Sequence, residues 1–191
     1  PTEEGIWQYK TTGSSDPGLM KEGTLGCNTY KGELEIYKHG FITVKEGDRF
    51  FSYADGTPFF YLGDTHWTML KEEIDSPGSN ASDTGAESHF KYIVDARVEQ
   101  GFTVYQSEPI DNRYNLANGF DKNDIRGFQK VDEYFAYIAQ KGLVHANAQL
   151  FFTEELCTNY SKYSVEYLRQ LTRYWVARYS AYPVMWTTAQ E

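Results

Sequence analysis

The residues best suited to chemistry in this sequence stand where four short apolar segments end. They carry carboxylate, amide, hydroxyl, imidazole and indole groups, all of which can hold a polar ligand. In chain order they are Asp64, Thr65, His66 and Trp67, then Gln106, Ser107 and Glu108, then Asn147 and Gln149, and finally Trp186, Gln190 and Glu191. If the four segments are parallel strands of a barrel, these groups meet at its mouth, where they could grip a polyhydroxylated ligand.

Glu191 is the strongest candidate for proton transfer among these residues. Hydrolysis of a glycosidic bond uses two carboxyl groups, one that protonates the leaving oxygen and one that attacks or activates water. Aromatic neighbours such as Trp186 could desolvate the Glu191 carboxyl group and raise its pKa, as a general acid requires. Asp64 and Glu108 follow adjacent strands, so we expect them to bind sugar hydroxyls rather than to act as the second catalytic carboxylate.

Two other functions fit the same residues. Asp64, His66 and His145 could form a metal-dependent hydrolase site with Glu191, because zinc takes imidazole and carboxylate ligands. A non-catalytic carbohydrate-binding protein on a barrel is the second alternative. His145 could equally be a buried residue with satisfied hydrogen bonds near the barrel floor. We predict no metal and no other cofactor.

The composition of the chain restricts which classes of partner we expect. The chain has 191 residues, a net charge of -9 and a pI near 5.0. A nucleic-acid binder needs a concentrated basic face, and none is present, so we predict no nucleic-acid partner. No apolar run approaches the roughly 20 residues of a membrane-spanning helix, so we predict no membrane partner either. Aromatic residues make up 17% of the chain, which favours surfaces on which sugar rings stack.

From about residue 59 onward, strand and helix patterns alternate. The predicted strands cover residues 59–64, 102–106, 143–150 and 184–188, and the predicted helices cover residues 89–100, 131–139 and 165–179. Long insertions follow the strands, on the side where a (β/α)₈ barrel carries its active site. An open doubly wound sheet would show the same order, although no glycine-rich phosphate loop is present. We interpret residues 41–191 as the first half of a (β/α)₈ TIM barrel, in the α/β class.

Residues 1–40 predict β-structure. Gly5–Lys10 and residues 32–37 alternate between apolar and polar side chains, as half-buried strands do. Asp55-Gly56 between two aromatic runs predicts a hairpin turn at the start of the next domain. We therefore expect residues 1–40 to be the last strands of an antiparallel domain.

The segment Ala54-Asp55-Gly56-Thr57-Pro58-Phe59-Phe60-Tyr61-Leu62-Gly63-Asp64-Thr65-His66-Trp67 resembles the opening of the apiosidase-like catalytic domain. That family is a bacterial glycoside hydrolase group with a TIM-barrel domain, related to the clan of retaining β-glycosidases. Residues 101–106, 141–143 and 178–186 are similar to its second, third and fourth strands. Residues 5–41 resemble the end of the Ig-like domain that often precedes this barrel.

The resemblance implies a glycosidase acting on a plant or microbial polysaccharide or oligosaccharide. It makes Glu191, at the end of strand four, the acid/base residue, and it puts the nucleophile on strand seven, beyond this sequence. Gln190 departs from the asparagine that usually precedes that glutamate. By the same resemblance we expect export to the periplasm, the cell surface or the medium. We also expect the chain to need the remaining half of the barrel as a partner, either as a second chain or as further residues.

Overall fold

The computed structural model of the chain describes residues 3–13, 15–67, 69–78, 85–107, 121–147 and 164–187. In chain order its strands and helices are β1 (Gly5–Lys10), β2 (Glu22–Cys27), α1 (Glu35–Lys38), β3 (Ile42–Thr43), β4 (Ser52–Tyr53), β5 (Gly63–His66), α2 (His89–Glu99), β6 (Val104–Ser107), α3 (Lys122–Gln140), β7 (Val144–Asn147), α4 (Val165–Tyr179) and β8 (Val184–Trp186). Short 3₁₀ turns lie at Pro17–Leu19 and Met69–Lys71.

The central sheet contains four strands in the order β5-β6-β7-β8, and all three pairings are parallel. A helix lies between β5 and β6, between β6 and β7, and between β7 and β8. Strands that pair in sequence order through intervening helices follow the pattern of a (β/α) barrel. The predicted parallel α/β architecture is therefore confirmed for these four strands.

The two faces of this sheet are covered by different parts of the chain. One face presents Val104, Val144 and Ala146, which pack against Ile36 of α1 and Tyr53 of β4. We call it the lid-side face, because the segments before β5 cover it. The opposite, helix-side face presents residues such as Tyr105 and His145 to the helices. The aromatic residues packed there include Phe90, Phe128, Phe135, Trp175 and Tyr179.

The three long helices begin at side-chain caps. Ser88 accepts a hydrogen bond from the backbone N–H of Lys91, and Ser164 accepts one from Tyr167. These caps satisfy backbone donors that a helix start otherwise leaves unpaired. The predicted bounds of α2 and α4 are confirmed within one residue. Helix α3 begins at Lys122, well before the predicted residue 131, because Asp121 caps it there.

The strand bounds differ from the predictions at the first barrel strand. Its predicted residues were 59–64, but β5 runs from Gly63 to His66. The preceding segment instead places Phe59 among the buried residues of the lid-side face, and its backbone N–H donates to the carbonyl oxygen of Phe51 at 2.9 Å. The predicted strands at 143–150 and 184–188 correspond to β7 and β8, and residues 148–150 and 188 lie outside the described residues.

The N-terminal region contains an antiparallel pair, β1 and β2, with Gly5 opposite Cys27 and Lys10 opposite Glu22. The predicted strand Gly5–Lys10 is confirmed. The predicted strand at residues 32–37 is wrong, because Glu35–Lys38 forms the short helix α1 and buries Ile36. Two strands do not define a fold, so the Ig-like domain at residues 1–40 stays a prediction.

The predicted turn at Asp55-Gly56 is confirmed. The backbone N–H of Tyr53 donates to the carbonyl oxygen of Thr57 at 2.8 Å, and Asp55 Oδ1 accepts from the N–H of Thr57 at 2.9 Å. Gly56 adopts φ 93°, a left-handed conformation that favours glycine. Across the described residues, no helix combines the length and apolar character needed to span a membrane.

Candidate functional site

Strand register places four polar or aromatic side chains in one row at the carboxyl ends of the strands. His66 is opposite Ser107, Ser107 is opposite Asn147, and Asn147 is opposite Trp186. We call these four residues the carboxyl-edge row. Directly opposed residues of parallel strands share a face, and so do residues two positions apart on one strand. Ser107 follows Tyr105 by two positions and Asn147 follows His145 by two, so the whole row lies on the helix-side face. The structure therefore brings together three residues predicted to bind substrate, namely His66, Asn147 and Trp186.

Asn147 is fully buried within the carboxyl-edge row. Its Oδ1 accepts a hydrogen bond from Trp175 Nε1–H of α4 at 3.1 Å, and its backbone oxygen accepts from the N–H of Thr187 at 3.1 Å. Its Nδ2 has no partner among the described residues. A buried amide with unused N–H groups can hold a ligand oxygen or a further segment of the chain.

His66 is buried at the end of β5. Its Nδ1 lies 2.5 Å from Tyr105 Oη, and its Nε2 has no hydrogen-bond partner among the described residues. Burial lowers the pKa of His66 by more than the nearby Glu72 carboxylate raises it, which favours the neutral ring. A neutral buried imidazole with one unused nitrogen can bind a metal or accept a hydrogen bond.

Asp64 does not reach the carboxyl edge. It is the second residue of β5, and its Oδ2 lies 2.5 Å from Arg97 Nε in the last turn of α2. Burial alone would raise the pKa of Asp64. The hydrogen bonds from Arg97 and from the N–H of Thr65 lower this pKa by more than burial raises it, so the net shift is downward. The expectation that Asp64 stands at the strand end is wrong, because the strand extends two residues beyond it. Its ion pair holds α2 against the sheet.

The other predicted binding residues lie apart from the carboxyl-edge row. Gln106 is opposite Thr65 and Ala146, which puts it on the lid-side face. Trp67 directly follows β5 and is 38% exposed. Trp186, by contrast, belongs to that row and packs against the buried residues of the helix side. The predicted residues Glu108, Gln149 and Glu191 lie outside the described residues, as does Gln190, and their roles stay predictions.

The three residues suggested for a metal hydrolase site make separate contacts. Asp64 pairs with Arg97, His66 with Tyr105, and His145 Nε2 lies 2.6 Å from Ser107 Oγ. Complete burial lowers the pKa of His145 to about 3, so this ring is also neutral. His145 lies in the middle of β7 on the helix-side face, with one ring nitrogen satisfied and Nδ1 without a described partner. The structure thus does not join these three side chains into one centre.

Sequence reasoning missed two residues beside His66. Glu72 follows the 3₁₀ turn, and His89 is the first residue of α2; His89 Nδ1 lies 2.8 Å from Glu72 Oε2. The two residues are seventeen positions apart across a loop rich in glycine and serine, and no motif links them. They lie close to His66 only because α2 begins beside the end of β5.

Comparison with known proteins agrees with this architecture. Residues 45–191 match the family model for the apiosidase-like catalytic domain. No protein of curated function matches the chain significantly. A solved structure named as a glycoside hydrolase shares 20% identity with a TM-score of 0.59, and the match covers 78% of this chain and 34% of that one.

Two Bacteroides vulgatus crystal structures are also similar. A glycoside hydrolase of family 5 shares 16% identity with a TM-score of 0.60, over 78% of this chain and 32% of that one. A candidate glycoside hydrolase shares 19% identity with a TM-score of 0.67, over 100% of this chain and 39% of that one. The chain therefore spans between about a third and two fifths of the length of the solved structures it matches. Since the family model covers most of the sequence, this chain belongs to the apiosidase-like catalytic domain family.

Proposed function

We propose that this chain supplies the acid/base half of a retaining glycosidase. The observation that supports this most directly is the strand order, in which β8 is the fourth consecutive parallel strand of the sheet. The resemblance to the clan of retaining β-glycosidases implies that the acid/base residue closes the fourth strand. In the sequence, Glu191 follows the last residue of β8 by five positions and is the first acidic residue after that strand.

The proposed roles follow from glycosidase chemistry. Glu191 protonates the leaving oxygen as the glycosidic bond breaks, and it later removes a proton from the water that hydrolyses the glycosyl-enzyme intermediate. The nucleophilic carboxylate belongs to a later strand, about 5–5.5 Å from Glu191 in a retaining enzyme. The remainder of the barrel is thus the partner on which activity depends.

The proposed substrate is a plant or microbial polysaccharide or oligosaccharide. In a closed barrel the helices lie outside, so the lid-side face is the interior, and Gln106 on that face is the described residue best placed for a sugar hydroxyl. Trp67 offers an exposed indole on which an apolar sugar face can stack. A secreted, periplasmic or cell-surface enzyme would meet such a substrate.

The experiment is Glu191→Gln in the protein with its whole barrel present. We expect turnover of a glycoside with a poor leaving group to fall by about 10²–10⁴-fold, because the glutamine amide cannot transfer the proton. For an aryl glycoside with a good leaving group, added azide should restore turnover and yield a glycosyl azide, because a small anion needs no general base. Glu99→Gln, at the exposed end of α2, is the matched control.

Each alternative predicts a different outcome. Unchanged turnover in the Glu191→Gln protein would overturn the assignment of the acid/base residue. A wild-type protein that binds glycans but never cleaves them would be the non-catalytic barrel instead. Cleavage abolished by a chelator but unaffected by Glu191→Gln would indicate metal-dependent hydrolysis.

A further inference from the structure

A compact group of three metal-binding side chains lies beside the sheet. His66 ends β5, Glu72 follows the 3₁₀ turn, and His89 begins α2. One ring nitrogen from each histidine and one carboxylate oxygen of Glu72 all lie within 4.8 Å of one another. In the described residues this is the only such group of three or more.

The contacts of His66 leave one nitrogen available to a ligand. Tyr105 occupies Nδ1, while Nε2 is buried and has no partner among the described residues. When the Nδ1 proton is donated to Tyr105 Oη, Nε2 carries a lone pair and can coordinate a metal. A metal-bound histidine usually donates its other N–H to an oxygen in this way, which fixes the ring orientation.

The other two side chains are also preorganised. The side chains of Glu72 and His89 are 17% and 12% exposed, and Glu72 Oε1 and Oε2 lie 3.0 and 2.8 Å from His89 Nδ1. Tyr134 Oη donates a hydrogen bond to the backbone oxygen of Glu72, which fixes this turn against α3. Gly78 packs close to the pair, since a Cβ there would lie 3.3 Å from Glu72 Oε2 and 3.3 Å from His89 Nδ1.

We propose that His66, Glu72 and His89 bind one Zn²⁺ ion, with water as the fourth ligand. Two imidazoles and one carboxylate are ordinary zinc donors, with bonds of about 2.0–2.2 Å. Donors in such a tetrahedron lie about 3.3 Å apart by the same bond lengths, so side-chain movements of about 1 Å would close the present group around an ion.

The proposed ion has a positioning role. It would hold together the end of β5, the turn after it and the start of α2. It is separate from the glycosidase proposal, because none of its three ligands is Glu191 and its helix-side location differs from that of Gln106 on the lid side.

The test measures zinc binding to the intact protein after removal of metal with a chelator. We expect calorimetry with zinc chloride to show one saturable site per chain, and Co²⁺ to give visible absorption typical of a tetrahedral nitrogen and oxygen site. Glu72→Gln and His89→Asn should each weaken zinc binding by at least about tenfold. Loss of even a residue that only hydrogen-bonds to a metal ligand has an effect of this size. At the same zinc concentration, zinc should also raise the melting temperature of the wild type by more than that of Glu72→Gln.

His39→Asn is the matched control. His39 also lies between two carboxylates, with Nε2 2.9 Å from Glu35 Oε2 and Nδ1 2.7 Å from Asp55 Oδ2. Its two nitrogens point to different carboxylates, so it does not gather three donors around one point. Zinc affinity should be unchanged in this variant. The proposal would be overturned if the wild type showed no saturable zinc binding. Equal zinc affinity in Glu72→Gln and His39→Asn would also overturn it. If His89→Asn does not fold, Glu72→Gln decides the question, because it is nearly isosteric.

Discussion

His145 is a buried, neutral imidazole at the centre of the helix-side face. Its ring lies 4.4 Å from the ring of Phe135, and burial lowers its pKa from 6.5 to about 3. In the unfolded chain the same group would bind a proton below its ordinary pKa. Its contribution to stability is therefore complete above about pH 6.5 and is lost as pH falls toward the folded-state value.

We expect His145→Gln to flatten the acid side of the stability curve. In the wild type, this residue should reduce the free energy of unfolding by about 1 kcal/mol per pH unit between roughly pH 6.5 and pH 5. Glutamine can still bond Ser107 but does not titrate. Urea unfolding at several pH values measures the slope, and equal slopes for wild type and variant would contradict the prediction.

His39→Gln provides a comparison of opposite sign. Hydrogen bonds that His39 donates to Asp55 and then to Glu35 raise the pKa of His39. Its stabilising effect is therefore present below the unfolded-state value and is lost as pH rises through the raised one. This variant should leave the acid slope in place.

Residue types at strand ends could be predicted from the sequence, but their faces could not. Alternation along a strand fixes which residues share a side, and a shift of one residue exchanges the sides. Asp64 shows a different error, because the expected strand ended two residues before β5 does and so put Asp64 at the strand end. The group around His66 was missed for another reason: its members come from three separate segments.

At the scale of elements, helices α3 and α4 are joined by a bidentate ion pair. Arg178 Nε lies 2.7 Å from Asp132 Oδ1, and Arg178 Nη2 lies 2.5 Å from Asp132 Oδ2. The two side chains are 24% and 34% exposed, and Arg178 Nη1 also donates to Tyr174 Oη at 2.8 Å. Planar, two-point pairing of this kind is stronger and more directional than a single exposed contact.

We expect a double-mutant cycle on Arg178→Gln and Asp132→Asn to give a coupling energy of about 1–2 kcal/mol. The comparison pair is Lys130 and Glu73, 3.1 Å apart but 55% and 60% exposed, for which the coupling should stay below about 1 kcal/mol. Urea denaturation of the single and double variants supplies both values. Similar couplings for the two pairs would show that burial and two-point geometry add nothing here.

Long helices were predictable because their apolar residues repeat along one side, as Val131, Phe135 and Ile138 do in α3. The four-residue helix α1 was not. A helix that short has little stability of its own, so tertiary contacts determine its form. Ile36 packs into the lid-side cluster, and Leu34 approaches Gly142, where an added Cβ would lie 3.0 Å from Leu34 Cδ2.

At the scale of the whole molecule, the question is whether the segment before residue 41 unfolds together with the sheet. The buried residues of the lid-side face allow a test. Ile36 is 8% exposed and shares this cluster with Val104 and Val144. We expect Ile36→Ala to lower the free energy of unfolding by about 2–4 kcal/mol and to shift one single transition.

Ile6→Ala is the control for that experiment. Ile6 lies on β1 and is 83% exposed, so its truncation should change stability by less than about 0.5 kcal/mol. If residues 1–40 are instead an independent domain, Ile36→Ala will leave the main transition where it is in the wild type. The measurement therefore also tests the predicted boundary after residue 40.

The contact between Ser107 and His145 bears on how this sequence can change over evolutionary time. Loss of either group alone leaves the other buried without that partner, whereas replacement of both by apolar residues of similar volume removes the need for it. Substitutions at positions 107 and 145 should therefore occur together. A sequence with only one of the two changes should be less stable than the sequences with neither change or with both. Each such pair narrows the set of neighbouring sequences that still fold.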